Sequence, residues 1–272
     1  MREASEREFA FSDNDFKFIT ELVSKRTGIV LQERKRDMVY SRLARRLRAL
    51  NIQNFADYCT LLTSDNPEEI TNFVNAITTN LTGFFREGHH FEHLHHLITS
   101  KTGSDKTLRI WSAGCSTGQE PYSIAMTVLD ALPNIAAWDV KILATDIDTN
   151  VLGKGAAGIY ATKDAESISP AYLREYTTSQ GDKLLMSDKL KRLIHFKQLN
   201  LLGAWPMKGP FDIIFCRNVV IYFDKPTQRD LFNRYATILK PAATLYIGHS
   251  ENLSNVCDRF ELVGRTIYKK IK

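Results

Sequence analysis

The stretch Arg109-Ile-Trp-Ser-Ala-Gly-Cys-Ser-Thr-Gly-Gln-Glu-Pro-Tyr-Ser123 decides the fold. Its residues up to Ala113 read as a buried strand. Gly114 and Gly118 read as a turn in which the backbone bends sharply and approaches a ligand, and Pro121 suits a first helical turn. A helix starting there offers unpaired N–H groups to anionic ligand atoms. The pattern is a cradle for a nucleotide-like cofactor.

Three ligands compete for such a cradle. A triphosphate-binding loop ends in Gly-Lys-Ser/Thr, whereas Gln119 and Glu120 follow Gly118 here, and a carboxylate repels a triphosphate. A nicotinamide dinucleotide prefers G-x-G-x-x-G, which Gly114 and Gly118 match poorly. S-adenosylmethionine carries an ammonium and a sulfonium beside its carboxylate, so Glu120 is an asset to it, and this ligand fits best.

Composition sets the outer bounds. At 272 residues the chain can bury a full core in one large domain or two modest ones. A hydrophobic share of 43% and a charged share of 25% suit a soluble globular protein. The most apolar run, Phe211 to Phe223, is broken by Asp212, Arg217 and Asn218, far short of the roughly 20 apolar residues of a membrane span. The N-terminal Met1-Arg-Glu-Ala-Ser-Glu-Arg-Glu has no signal-peptide core, which together with the lack of a span predicts a cytoplasmic protein. Cys59, Cys115, Cys216 and Cys257 form no C-x-x-C pair, which speaks against zinc and suits reduced packing thiols. A net charge of +5 is too mild to imply nucleic acid by itself.

Along the chain, the first ~80 residues read as helices. One runs from a Ser12 cap to about Arg26 with Gly28 as its stop, and a second from about Glu33 to Leu50. A third follows an Asn54 cap, and a fourth opens at Asn66-Pro67. The second helix sets Val39, Leu43, Leu47 and Leu50 on one face, with Arg34, Lys35, Arg36, Arg42, Arg45, Arg46 and Arg48 around the rest. After Arg86, strands alternate with helices: Leu108 to Ser112, Val140 to Asp146, Ile194 to Asn200, Ile213 to Cys216 and Thr244 to Gly248. Strands separated by helix-length segments predict an α/β fold with a parallel, right-handedly wound sheet. Phe260 to Lys270 is expected to close it as an edge strand. The polar interval from about 159 to 192 breaks the rhythm and reads as an inserted small subdomain or a long helical crossover.

Ligands of wound parallel sheets sit beyond the carboxyl ends of the strands. Asp146, ending the second strand, can accept hydrogen bonds from both ribose hydroxyls, or cap the next helix. Asn200 and Leu201, polar then apolar, suit the edge and face of an adenine. Asn218 precedes Tyr222 by four residues, an arrangement that offers donors beside a transferred methyl group and an aromatic wall beside its acceptor; Tyr222 and Phe223 read equally as core aromatics. His89, His93 and His96 can share one helical face, but nothing supplies a second shell for a metal, and no metal is expected.

Five segments carry a family resemblance: Asn80-Leu-Thr-Gly-Phe-Phe-Arg-Glu87, Trp111 to Ser123, Ala144-Thr-Asp-Ile-Asp148, Phe215-Cys-Arg-Asn-Val219 with Tyr222-Phe-Asp224, and Gly248-His-Ser-Glu-Asn252. In these the sequence resembles the CheR-type chemotaxis receptor methyltransferases, which methylate glutamate side chains of bacterial chemoreceptors. The resemblance implies an N-terminal helical receptor-docking domain over residues 1–85. It also implies a Rossmann-like S-adenosylmethionine-dependent methyltransferase domain over 86–272, with a small antiparallel β subdomain inserted at about 159–192. The family's cofactor pocket maps onto Asn80, Thr82, Arg86, Glu120, Asp146, Asn200, Leu201, Asn218 and Val219, joined by Gly114 of the cradle. Arg86 is placed to pair with the cofactor carboxylate, a task a guanidinium fork does well. Tyr222 and Arg86 are the expected catalytic residues, and S-adenosylhomocysteine the product.

The expected partner is the helical cytoplasmic bundle of a chemoreceptor, with Arg42, Arg45 and Arg46 as its contact, set against the simpler reading of a solvated basic face. Neither nucleic acid nor membrane insertion is expected, and a monomer is the default. The segment Tyr176-Thr-Thr-Ser-Gln-Gly-Asp-Lys183 is shorter than the glycine-containing loop with which some family members hold a receptor-tail pentapeptide, so no such tethering is expected. The different classes that remain are a nucleic-acid methyltransferase, which needs a broad basic groove for a flipped base, and a non-catalytic cofactor-sensing adaptor.

Overall fold

The computed structural model describes residues 7–101 and 105–272, so the first part of the N-terminal reading, residues 1–6, lies outside it. The chain divides into two compact units: Met1–Thr79 with Tyr222–Asp224, and Asn80–Ile221 with Lys225–Lys272. Sequence reading had placed the division at 85/86.

The first unit is helical. α1 (Asp13–Thr27) starts with a capping box in which the Ser12 side chain and the Asp15 carboxylate each bond the other's backbone N–H, and Gly28 ends it at φ 75°. A 3-10 turn, Glu33–Lys35, precedes α2 (Arg36–Leu50), so the expected second helix is two segments. α3 (Phe55–Thr63) is capped by Asn54, and α4 (Pro67–Ile77) by Asn66 with proline at its first position. Ile19, Val23, Val39, Leu43, Leu47, Phe55, Tyr58 and Phe73 make the core. Leu50 is exposed instead of joining that face, because it ends α2.

The basic face of α2 is less of a face than its sequence suggested. Arg42 donates to the carbonyls of Ile77 and Thr78, at the end of α4, at 2.5 and 2.8 Å. Arg46 forms a two-pronged pair with Glu69, whose buried carboxylate also accepts the Tyr58 hydroxyl at 2.7 Å. Of the three arginines expected to contact a receptor, Arg45 is exposed, while Arg42 and Arg46 are used inside the unit.

The second unit opens with α5 (His89–Thr99), which buries Phe91, Leu94 and Ile98, with Leu97 only partly buried. Then follow β1 (Thr107–Ala113), α6 (Gln119–Ala131), β2 (Asp139–Asp146) and α7 (Thr149–Ala157). Next come β3 (Ile159–Ala161), α8 (Pro170–Tyr176), β4 (Thr177–Gln180), β5 (Lys183–Met186), α9 (Asp188–Lys191) and β6 (Ile194–Gln198). β7 (Phe211–Cys216), α10 (Lys225–Ile238), β8 (Leu239–Ile247), β9 (Phe260–Gly264) and β10 (Ile267–Lys270) complete it.

Among the described residues these strands form a seven-stranded sheet in the order β6-β2-β1-β7-β8-β10-β9 and a three-stranded sheet in the order β3-β5-β4. From β6 to β8 all pairs are parallel, as alternation with helices demands. The sheet is mixed, however, because Phe260–Lys270 is a hairpin of two antiparallel strands and not one edge strand. Arg265 and Thr266, the latter at φ 55°, make its turn. The interval from 159 holds the small antiparallel sheet, whose β4–β5 hairpin closes through Gly181 and Asp182 alone.

The sheet order reverses at β1 and β7, since β1 leads to β2 on one side while β7 leads to β8 on the other. A crevice at the carboxyl ends of β1 and β7 is where such sheets bind ligands.

Candidate functional site

β1 ends in the glycine turn. The N–H groups of Gly114 and Cys115 both donate to the Thr145 carbonyl at 2.8 Å, tying the turn to the end of β2. Gly114 has φ 85°, and a Cβ there would stand 2.4 Å from Cγ2 of Val219 beyond β7. Gly118, at φ 97°, opens α6 with no side-chain cap. Glycine is required at both places by conformation and by close approach.

Four buried carboxylates, Asp146, Asp148, Glu120 and Glu251, organise the strand ends. Asp146 accepts the Ser116 N–H at 2.8 Å on Oδ2 and the Asp148 N–H at 3.0 Å on Oδ1. The Asp146 carboxylate has acceptor sites on both oxygens, the kind of group that a ribose diol needs. Burial pushes its pKa above the ordinary aspartate value, against the pull of those N–H groups. The cap of α7 is Asp148, not Asp146, and Oδ2 of Asp148 accepts Nδ2 of Asn80 at 2.8 Å. Ser116 Oγ donates to the Asn80 carbonyl at 2.8 Å, so Asn80 is fixed to the cradle from two sides.

Glu120 lies in the first turn of α6. The sequence offers its charge to a cationic cofactor, but Oε1 accepts the Ser112 hydroxyl at 2.7 Å and Oε2 accepts Nη1 of Arg217 at 3.1 Å. Burial raises its pKa, with Arg217 and Ser112 opposing. Arg217, buried at the end of β7, also lies 3.5 Å from Glu87, donates to the Arg86 carbonyl and sits 5.7 Å over the Phe91 ring. Glu87 in turn accepts Nδ1 of His249 at 3.0 Å. Burial raises the Glu87 pKa, yet His249 and Arg217 outweigh it and hold the carboxyl below its usual value.

Glu251 is the last of these carboxylates, and its place in the sequence suggested no role. It accepts backbone N–H bonds from Asn218 (3.0 Å), Val219 (2.9 Å), Val220 (2.9 Å) and Gly248 (2.5 Å). Burial pushes its pKa up while this ring of donors pulls it down, and burial prevails. Asn218 is thereby held at φ 59°, and a Cβ on Gly248 would reach 2.4 Å from its Nδ2.

Beyond β6, Asn200 Oδ1 accepts the Leu202 N–H at 3.0 Å and Leu201 is buried. Thr82 and Arg86 lie in the half-buried loop after Asn80, where Nη1 of Arg86 donates to the Leu81 carbonyl at 3.1 Å. Tyr222 groups by its contacts with the helical unit, its carbonyl accepting the Val30 N–H at 2.9 Å. The second unit thus gathers Gly114, Glu120, Asp146, Asn80, Asn218 and Val219 at neighbouring strand ends, with Asn200 and Leu201 following β6. Arg217, Glu251 and Asp148 were missed. Their signal was charge placed at the ends of apolar strands, where an ion is tolerated only with partners.

His89, His90 and His93 have protein partners, His89 bonding the Arg265 carbonyl at 3.0 Å. His90 bonds the Thr266 hydroxyl at 2.9 Å and His93 that of Tyr246 at 2.8 Å. Ligand atoms of Glu87, His89 and His90 come within 4.8 Å of one another, next to the Arg217 guanidinium, whose charge opposes a cation.

The donor set fits S-adenosylmethionine. A turn that excludes Cβ atoms, a buried acid at the end of β2 and the absence of a lysine in the glycine turn match a cofactor with a ribose diol and no triphosphate.

Comparison with known proteins agrees. Residues 14–78 match the all-alpha domain of CheR methyltransferases and residues 80–269 match their S-adenosylmethionine-binding domain. The chain is 47% identical to a chemotaxis protein methyltransferase of Klebsiella aerogenes over 94% of its own length and 89% of that protein. To those of Salmonella typhimurium and Escherichia coli it is 46% and 45% identical, over 95% of this chain and 91% of each relative. The chain belongs to the CheR methyltransferase family: it is an S-adenosylmethionine-dependent methyltransferase of chemotaxis.

Proposed function

We propose that this methyltransferase esterifies glutamate side chains of chemoreceptors, giving the glutamyl methyl esters and S-adenosylhomocysteine of chemotactic adaptation. The carrying observation is the set of buried carboxylates that pre-form a cradle at the β1/β7 switch point, in a chain of this family. S-adenosylmethionine, when bound, supplies an electrophilic methyl carbon on its sulfonium.

The acceptor glutamate, with an ordinary pKa of about 4.3, is ionised at neutral pH, so no side chain here needs to remove a proton. The residues bind and orient. Asp146 takes the ribose hydroxyls, Asn200 and Leu201 the adenine, and Asn80, Thr82, Gly114 and Val219 line the cradle. Arg86 pairs with the amino-acid carboxylate, and Asn218 with the remaining lone pairs of Glu120 faces the ammonium. Tyr222, four residues from Asn218, positions the acceptor as a modest donor. Attack neutralises a carboxylate and a sulfonium together, so a strongly polar acceptor site would favour reactants over the transition state.

Docking on the receptor's helical bundle falls to Arg45 with the exposed Arg34 and Lys35, because Arg42 and Arg46 are engaged within the helical unit. The two-residue β4–β5 turn favours a protein that works without a receptor-tail tether. Titration with receptor-tail peptides tests this, and micromolar binding would contradict it. The test of the activity is labelled S-adenosylmethionine with a chemoreceptor, followed by alkali. A glutamyl ester releases methanol, and a methyl retained on base or nitrogen points to another substrate.

A further inference from the structure

We infer that Arg234 and Trp205 are positioning residues for the adenine side of the cofactor, acting through the loop that carries Asn200 and Leu201. The inference rests on the assignment of those two residues to the pocket. Between β6 and β7 the chain from 199 to 210 has no helix or strand, and Leu202, Gly203 and Ala204 are exposed. A loop so placed needs something else to fix its course.

One guanidinium does so. Nη1 of Arg234, on α10, donates to the Leu201 carbonyl at 2.7 Å, and Nη2 donates to the Gly203 carbonyl at 2.6 Å. Trp205 Nε1 gives the Leu201 carbonyl its second donor at 3.1 Å. The guanidinium carbon lies 3.9 Å from the centre of the Trp205 ring, so loop and helix are stacked as well as bonded. A planar fork that reaches two carbonyls while stacking on an indole is a task lysine cannot perform.

The clamp continues into the rest of the cradle. Trp205 stacks on Tyr235 at 5.4 Å and meets Trp111 of β1 edge-on at 4.9 Å. Trp111 Nε1 donates to Thr145 Oγ1 at 2.9 Å, and Thr145 is the residue that precedes Asp146 and whose carbonyl holds Gly114 and Cys115. The adenine loop, the ribose acid and the glycine turn therefore share one aromatic wedge.

The test uses the full-length chain with Arg234→Gln, Arg234→Lys and Trp205→Phe. Calorimetry with S-adenosylhomocysteine is expected to show affinity weakened about tenfold in Arg234→Gln and by less in the two conservative variants. With 5′-methylthioadenosine, which lacks the amino-acid half, the loss is expected to persist. Turnover at saturating S-adenosylmethionine is expected to stay within about twofold and KM for the receptor to stay unchanged, the split of a group that acts on cofactor binding alone. Tryptophan emission should change on adding S-adenosylhomocysteine to the wild type and lose that change in Trp205→Phe. A lowered Tm with wild-type affinity and an unaltered emission change would overturn the inference. Asn200→Ala separates the two failures: wild-type affinity there removes the pocket assignment, whereas weakened affinity there with an unaffected Arg234→Gln removes only the clamp.

Discussion

The backbone N–H of Asn218 lies 3.0 Å from Oε2 of Glu251, and that bond holds a side-chain amide in a left-handed conformation at the switch point of the sheet. Three further N–H groups converge on the same carboxylate. Glutamine offers one acceptor oxygen and two donors where four donors already point. Glu251→Gln is expected to lose about 2–3 kcal/mol of stability in urea unfolding and to weaken S-adenosylhomocysteine binding, since buried N–H groups are left unpaired. Unchanged stability would remove Glu251 from the support of the site.

Asp146 sets a pH dependence. Burial raises its pKa in the folded protein, and in the proposed pocket ribose hydroxyls donating to it would favour the ionised form. Affinity is therefore complete above the raised pKa and falls as pH drops through it, starting above the ordinary aspartate value of 3.8. Calorimetry of S-adenosylhomocysteine from neutral pH downwards should show this fall, with proton release on binding. Asp146→Asn should bind about tenfold more weakly at neutral pH and lose the slope.

The basic helix separates fold from docking. Arg46→Ala strands the buried Glu69 carboxylate with the Tyr58 hydroxyl and is expected to cost roughly 3 kcal/mol of stability. Arg45→Glu is expected to change stability by less than about 0.5 kcal/mol and to reduce receptor methylation, the more so at low salt. Thermal unfolding and methylation rates at two ionic strengths check both.

Tyr222→Phe removes one hydroxyl. Under the proposed role on the acceptor, turnover is expected to fall about tenfold with S-adenosylhomocysteine affinity unaltered. Steady-state kinetics with calorimetry distinguishes this from unchanged turnover, which would take Tyr222 out of the mechanism.

Much of this was legible in the chain. Gly114, Gly118 and Pro121 stated the turn and the helix start, and alternating apolar segments stated the parallel order, because backbone conformation and burial act locally. Glu120 was read as open to a ligand because nothing in its spacing shows that Arg217, far along the chain, reaches it across the sheet. Arg42 and Arg46 looked like surface for the same reason: helical periodicity places a residue on a face, but the long side chain bends to the carbonyls and the acid that α4 presents. The hairpin at Phe260–Lys270 was merged into one strand because Arg265-Thr266 lacks the glycine or asparagine that marks such turns. Glu251 sat inside a quoted segment, yet its role depends on three N–H groups from another loop.

The most direct test of the account is tandem mass spectrometry of a chemoreceptor cytoplasmic fragment after incubation with this protein and S-adenosylmethionine. The account predicts one added methyl group on the side chains of specific glutamates, removed by mild alkali and much reduced with Asp146→Asn. Methyl groups confined to lysine, or a receptor fragment left unmodified while nucleic acid is methylated, would contradict it.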